Sequence, residues 1–261
     1  PVYKRFNISI KFFNSLKPSD NYKVIIVDDG CEENYKEFAD SRSNYDYVLG
    51  SGSLYWGGAI NLGITYVKTK YDLNQNDFII LAIGRLVKDK GIEELVSAFV
   101  NSKIVGMSKL VLVGSFEQDL NPLSQDTIQT IREHPKIVQI DWTDHVAHYL
   151  ALADVLVHPS HREGFPNVLL EAGAMQVPII CSDIIGNTDL VKQQKTGLLF
   201  PVKDSVALKE ALEFAFVKRE KMALYADRLF TEILDNFDRK KIHQELLTNY
   251  RRLMSTSQIS E

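Results

Sequence analysis

Two carboxylates, Glu163 and Glu171, stand with seven residues between them in the stretch HREGFPNVLLEAGAM. Pro166 between them suits the first turn of a helix, where a missing N–H costs little. The free N–H groups near Gly164–Val168 would then form a helix N-terminus, which is a natural anion site. Glu163 would lie in the loop before that helix and Glu171 more than a turn inside it, so both could border one pocket. Acids beside an anion site repel phosphate unless they bind something else. Carboxylates accept well from vicinal hydroxyls, so the pair points to a sugar or a ribose next to a phosphate. The plainer reading is a helix with favourable acids near its N-terminus.

A second constellation is GRLVKDKG, Gly84–Gly91. A glycine after a strand lets backbone approach a ligand closely. Arg85 then offers a fork of donors and Lys90 a point charge, a suitable pair for a diphosphate. Against that stands an ordinary loop with solvated basic residues. A third is the Asp28–Asp29 pair ending KVIIVDDG, either a turn after a buried strand or a ligand contact. The histidine pairs 145/148 and 158/161 have no cysteine or HExxH context, which disfavours a metal site. No GxSxG or cysteine–histidine nucleophile stands out. Cys181, after an apolar run, reads as core.

Stepping along the chain, the elements that must position these residues alternate. The first segment, PVYKRFNISIKFFNSL, fits both a strand and a helical stripe; the stripe runs further and favours a helix. Strands are expected at 23–28 and 45–49, with helices at 32–39 and 57–71. From Phe78 the pattern is regular. Strands are expected in FIILAI, KLVLV, IVQID, VLVHPS, VPIICSD and TGLLFPV. Helices are expected in IEELVSAFVNS, 123–133, VAHYLALA, PNVLLEAGAM, near Asp189–Lys195, Ser205–Phe216 and much of Glu220–Met254. Such alternation implies an α/β fold with a doubly wound parallel sheet. Ligands of such sheets bind outside the carboxyl ends of the strands, where each motif above falls. The C-terminal stretch KKIHQELLTNYRRLM could meet anionic lipid, but its apolar spacing is what a helix packed on the protein body needs.

Composition sets outer limits. The 261 residues, 45% hydrophobic and 25% charged, suffice for a real core in one large or two modest domains. A net charge of -4 gives no general attraction to nucleic acid. Two distant cysteines argue against a disulfide framework and for a cytoplasmic setting. No apolar run approaches the roughly 18–20 residues that span a bilayer, and the N-terminal run is too interrupted for a signal peptide. The first residue is Pro1 rather than Met, which leaves trimming, processing or incompleteness at that end open.

GRLVKDKG, the glycine of VLVGS, ADVLVHPSHREGFPNVLLEAGAMQVPIICSD, GN-DLV and TGLLF occur in order. Together they resemble the C-terminal, donor-binding half of family-4 retaining glycosyltransferases of GT-B architecture, over residues 77–254. The surroundings resemble bacterial enzymes of capsular or exopolysaccharide assembly. The resemblance implies transfer of a sugar from a UDP- or other NDP-sugar to a glycan or lipid-linked acceptor. It implies that Arg85 and Lys90 hold the diphosphate and that Glu163 binds hydroxyls of the donor sugar. Gly84 would let the backbone approach, and Gly164, Phe165, Pro166 and Asn167 would cradle sugar and phosphate. Glu171 would bind the ribose, and the loop bearing Trp142 would meet the base, largely through main chain. Glu163, Arg85 and Lys90 are the candidates for catalysis. No metal and no other cofactor is expected, since basic groups and helix N–H groups stabilise the leaving diphosphate.

Residues 1–76 do not fit that half. KVIIVDDG and GSGSLYWGGAINLGITYV resemble part of a family-2 GT-A glycosyltransferase, in which Asp28 or Asp29 would contact the nucleotide. The expected organisation is therefore a partial GT-A-like α/β segment at 1–76. A Rossmann-like nucleotide-sugar-binding domain with C-terminal helices would follow at 77–261. Two further expectations stand beside the enzyme: a binding-only remnant, or a subunit that borrows its acceptor half from a partner. Peripheral association with the inner face of the plasma membrane belongs to the same picture.

Overall fold

The computed structural model describes residues 76–237 apart from 118, 120 and 145, the segments 24–28 and 45–49, positions 36, 40 and 244, and residues 246–252. The opening segment, the expected helix at 57–71, Asp29 and His145 lie outside the described residues. So does most of the expected helix at 32–39, of which Lys36 is helical.

Strands β1 (Val24–Asp28) and β2 (Tyr45–Leu49) pair in parallel, with Asp28 opposite Leu49. The main sheet holds β3 (Phe78–Ile83), β4 (Ser108–Val113), β5 (Ile137–Ile140), β6 (Val155–His158), β7 (Ile179–Ser182) and β8 (Leu198–Phe200). Its order is β5-β4-β3-β6-β7-β8, and every pairing is parallel. The order reverses direction between β3 and β6. That topological switch point opens a crevice where two successive connections diverge to opposite faces.

The strands are apolar on both sides because helices cover both faces. Phe78, Ile80 and Ala82 join one cluster with α1 (Ile92–Val100), α2 (Gln125–Glu133) and α6 (Ser205–Val217). Ile79 and Leu81 join the other, with α3 (Val146–Leu150), α4 (Asn167–Ala174) and α5 (Asn187–Leu190). The last long helix, α7 (Arg219–Asn236), serves both: Met222 and Tyr225 pack in the first cluster, Leu229 and Ile233 in the second. Gly173 makes the α4–α7 contact close, since a Cβ there would stand 2.4 Å from Ile233 Cδ1. Local chemistry sets the helix starts. Ser124 Oγ accepts from Thr127 N, and Asp204 Oδ1 accepts from Val206 N and Ala207 N.

Four features differ from expectation in ways that bear on packing. Pro166 is the N-cap of α4 rather than a residue of its first turn. The helix at Val146 stops at Leu150, and Asp154 Oδ2 then accepts from Ile79 N at 2.7 Å, tying the chain back to the sheet. Helix α5 lies earlier than Asp189–Lys195, because buried Thr196 takes the Lys192 N–H on its Oγ1 and turns the chain there. Finally, Leu246, Leu247 and Tyr250 are exposed, so at these side chains the C-terminal helix is not packed on the body.

Candidate functional site

The loops leaving β3 and β6 meet at the switch point. His161 N donates to Asp89 O at 2.9 Å, and the His161 ring lies 3.0 Å from Glu94 Oε1. Gly91 has φ 67°, and a Cβ there would come within 2.0 Å of Pro159 O. Only glycine lets the two loops lie this close. The seam brings Lys90, at the end of one loop, onto Glu163 of the other.

Glu163 Oε1 collects three partners: Lys90 Nζ at 2.5 Å, Ser160 Oγ at 2.6 Å and His158 Nε2 at 3.1 Å. The Lys90 and Glu163 side chains are 23% and 16% exposed, so the pair is largely desolvated. Burial by itself would raise the Glu163 pKa. Hydrogen bonds from His158, Lys90 and Ser160, with the charge of His158, hold it instead at about 2. The group is therefore an acceptor at neutral pH, not a proton donor. Its Oε2 takes no hydrogen bond from any described residue.

Arg85 opens the β3 loop and pairs with Glu117 at 2.9 Å. Those side chains are 50% and 37% exposed, and such a pair contributes no more than about 1 kcal/mol. An incoming anion can take Arg85 from it at little cost. Both residues line a cavity of about 400 Å³ at the carboxyl ends of β3 and β4, which Gly84, Gly114, Ser115 and Trp142 also line. Its edge depends on close backbone approach. Gly114 has φ 151°, and a Cβ on it would stand 1.9 Å from Gly84 O. Trp142 is exposed, and its backbone N–H reaches Ser115 Oγ at 3.4 Å.

Helix α4 begins without a side-chain cap, so the N–H groups of Asn167 and Val168 have no helical acceptor. Gly164, Phe165 and Asn167 are exposed around that end while Pro166 is buried. Phe165 packs on Phe237 with ring centroids 5.7 Å apart. Glu171 is exposed on α4, four residues beyond Asn167 and so on the same side of the helix.

The expected site residues thus fall into three groups. Gly84, Arg85 and Trp142 line the cavity, and Lys90 and Glu163 form the polar cluster. Gly164, Phe165, Pro166, Asn167 and Glu171 belong to the loop and helix after β6. Neither Glu163 nor Glu171 lines the cavity itself. Asp28 ends β1 in the two-stranded sheet. Sequence reasoning missed His158 and Ser160. The signal was present in the polar residues ending the apolar run VLV, and in the serine three residues before Glu163. Cys181 is buried, as its place after an apolar run suggested. Burial, with the charge of Asp183, pushes its thiol far above the ordinary range.

The chain matches the family model described as Glycosyl transferases group 1 over residues 65–228. It is 32% identical over 184 residues to the capsular polysaccharide biosynthesis glycosyltransferase CapM of Staphylococcus aureus, covering 66% of this chain and 46% of that protein. It thus spans about half the length of that relative. Among solved structures it resembles Anabaena HepE in complex with UDP and glucose, with a TM-score of 0.66 at 17% identity. That likeness covers 94% of this chain and 66% of HepE. It also resembles the C-terminal domain of a glycosyl transferase group 1 family protein, LpcC, from Francisella tularensis. There the TM-score is 0.58 at 19% identity, over 66% of this chain and 93% of that domain. At these identities the two structures speak for the fold alone.

Proposed function

This chain belongs to the Glycosyl transferases group 1 family, and we propose that it moves a sugar from a nucleotide-diphosphate-sugar donor to a glycan or lipid-linked acceptor in bacterial surface polysaccharide synthesis. One observation carries the donor half of this reading. An ionised, half-buried carboxylate, Glu163, is held beside Lys90 at the switch point of a doubly wound sheet, whose same carboxyl edge carries a glycine-edged cavity lined by Arg85. In the proposal the base and ribose enter the cavity near Trp142 and Gly84. Arg85, Lys90 and the free N–H groups of α4 take the diphosphate, and Glu163 Oε2 takes hydroxyls of the sugar. Glu171, on the outer side of α4, reaches the ribose hydroxyls from the rim. As the sugar–phosphate bond lengthens, charge builds on the diphosphate, and those cationic and N–H donors stabilise it without calling for a metal. Retention of configuration is part of the same proposal, as is work at the inner face of the plasma membrane. The capsular role in the CapM name supports the choice of product class.

Thermal shift with UDP-glucose, UDP-galactose, UDP-N-acetylglucosamine and GDP-mannose tests the donor half. A ligand at about 100 times its Kd should add roughly 2.7 kcal/mol. No shift with any of them contradicts the reading. A second reading is donor binding without transfer, by this chain alone or until a partner subunit supplies an acceptor side. It is favoured by the placement of the whole cluster and cavity within residues 83–163 of one sheet. Release of UDP or GDP with label transfer to a lipid-linked acceptor separates the two.

A further inference from the structure

The polar cluster does not end at Ser160. Ser182, the last residue of β7, donates through Oγ to the backbone carbonyl of Ser160. Asn187, the first residue of α5, donates through Nδ2 to Ser182 O at 3.0 Å and to Ser182 Oγ at 3.1 Å. Ser160, Ser182 and Asn187 have no exposed surface, so water takes no share in these bonds. The direction of the chain is fixed by its chemistry. Ser182 O can only accept, which makes the Asn187 nitrogen the donor. With a lone pair of Ser182 Oγ occupied by Asn187, the Ser182 proton is left to point at Ser160 O. The Ser160 backbone is thereby pinned where its own Oγ donates to Glu163 Oε1 at 2.6 Å.

Two further facts separate this arrangement from ordinary core packing. Asn187 Oδ1 is buried with no partner among the described residues, a cost that an apolar residue in the same space would not carry. The neighbouring Gly186, at φ 94°, brings the start of α5 against the Glu163 loop; a Cβ there would lie 2.6 Å from Gly164 O and 3.0 Å from Glu163 O. The loop after β7 therefore braces the Glu163 loop through backbone contact and through a buried hydrogen-bond chain.

We propose that Asn187 and Ser182 are positioning residues that orient Glu163 toward the donor sugar through Ser160. The proposal rests on the donor-binding reading above and names residues beyond those that would touch the donor. Its test is a double-mutant cycle on affinity for the tightest-binding of UDP-glucose, UDP-galactose, UDP-N-acetylglucosamine and GDP-mannose, measured by calorimetry. Asn187→Ala and Ser182→Ala should each weaken binding about three- to tenfold in the wild-type background. In a Glu163→Gln background each should cost less than about twofold, because the group they orient has already lost its charge. Equal losses in both backgrounds would show a general structural role and overturn the proposal, as would unchanged affinity in the wild-type background. Ser182→Ala removes a single oxygen and carries the test alone if Asn187→Ala does not fold. A wild-type chain that binds none of the four donors overturns the underlying reading instead, a result visible before any variant is made.

Discussion

Lys90 and Glu163 lie 73 residues apart in sequence and meet at 2.5 Å where the loops after β3 and β6 converge. The contact joins the basic loop to the acidic one and helps to hold the carboxylate ionised. Ser160 and His158 complete the set of donors on the same oxygen.

The low pKa of Glu163 makes stability depend on pH in a defined direction. Its folded value, about 2, lies below the ordinary 4.5. Its stabilising contribution is therefore complete above about pH 4.5 and is lost as pH falls toward 2. The amount is on the order of 3 kcal/mol. Wild-type protein should exceed Glu163→Gln in Tm at pH 7, with the gap narrowing from about pH 5 down to pH 2. Parallel Tm curves across that range would contradict the assignment.

Arg85 and Glu117 should behave asymmetrically. Their pair is too exposed to matter for folding, so Glu117→Gln should change stability by less than about 0.5 kcal/mol. It should leave UDP or GDP affinity unchanged or slightly raised, since a competitor for Arg85 is gone. Arg85→Ala should weaken the same affinity about tenfold or more by loss of a charge-assisted contact. Calorimetry with both variants decides the matter; equal losses would mean that the pair acts as one unit.

How much of this was legible in the sequence depends on range. The six strands of the main sheet follow from short apolar runs between glycine and polar turns, and their flanking helices from helical periodicity, both local signals. Arg85, Lys90 and Glu163 were legible because each lies in a loop just past a strand, where a doubly wound sheet must put its ligand. The end of the helix at Leu150 was not legible, since it depends on Asp154 reaching Ile79 N, 75 residues away. His158 and Ser160 lie only five and three residues from Glu163, but the convergence that gives them a shared role is long-range. Nothing local says that the lysine of another loop shares their carboxylate. The exposed Leu246, Leu247 and Tyr250 show the opposite failure, an amphipathic pattern that the fold leaves uncovered.

The cavity edge predicts its own sensitive position. Gly114→Ala would place a methyl 1.9 Å from Gly84 O at a φ of 151°, so the two strand ends must separate. The expected cost is about 1–3 kcal/mol in denaturant unfolding. A wild-type midpoint would show that the β3 and β4 ends are not packed this closely.

Cys181 gives a simple check on the core. With its thiol buried in the β7 layer, it should not react with a thiol reagent at pH 8 in a Cys31→Ser background until the protein unfolds. Rapid labelling of the native protein would place β7 at the surface and undo the packing described for α4 and α5.

In the proposed division of labour Glu163 grips the sugar while Arg85 grips the diphosphate. Calorimetric affinities of Glu163→Gln for the best nucleotide sugar and for the matching nucleoside diphosphate test it most directly. Affinity should fall about tenfold or more for the nucleotide sugar and no more than about threefold for the diphosphate alone. Equal losses for both ligands, or none for either, would contradict it.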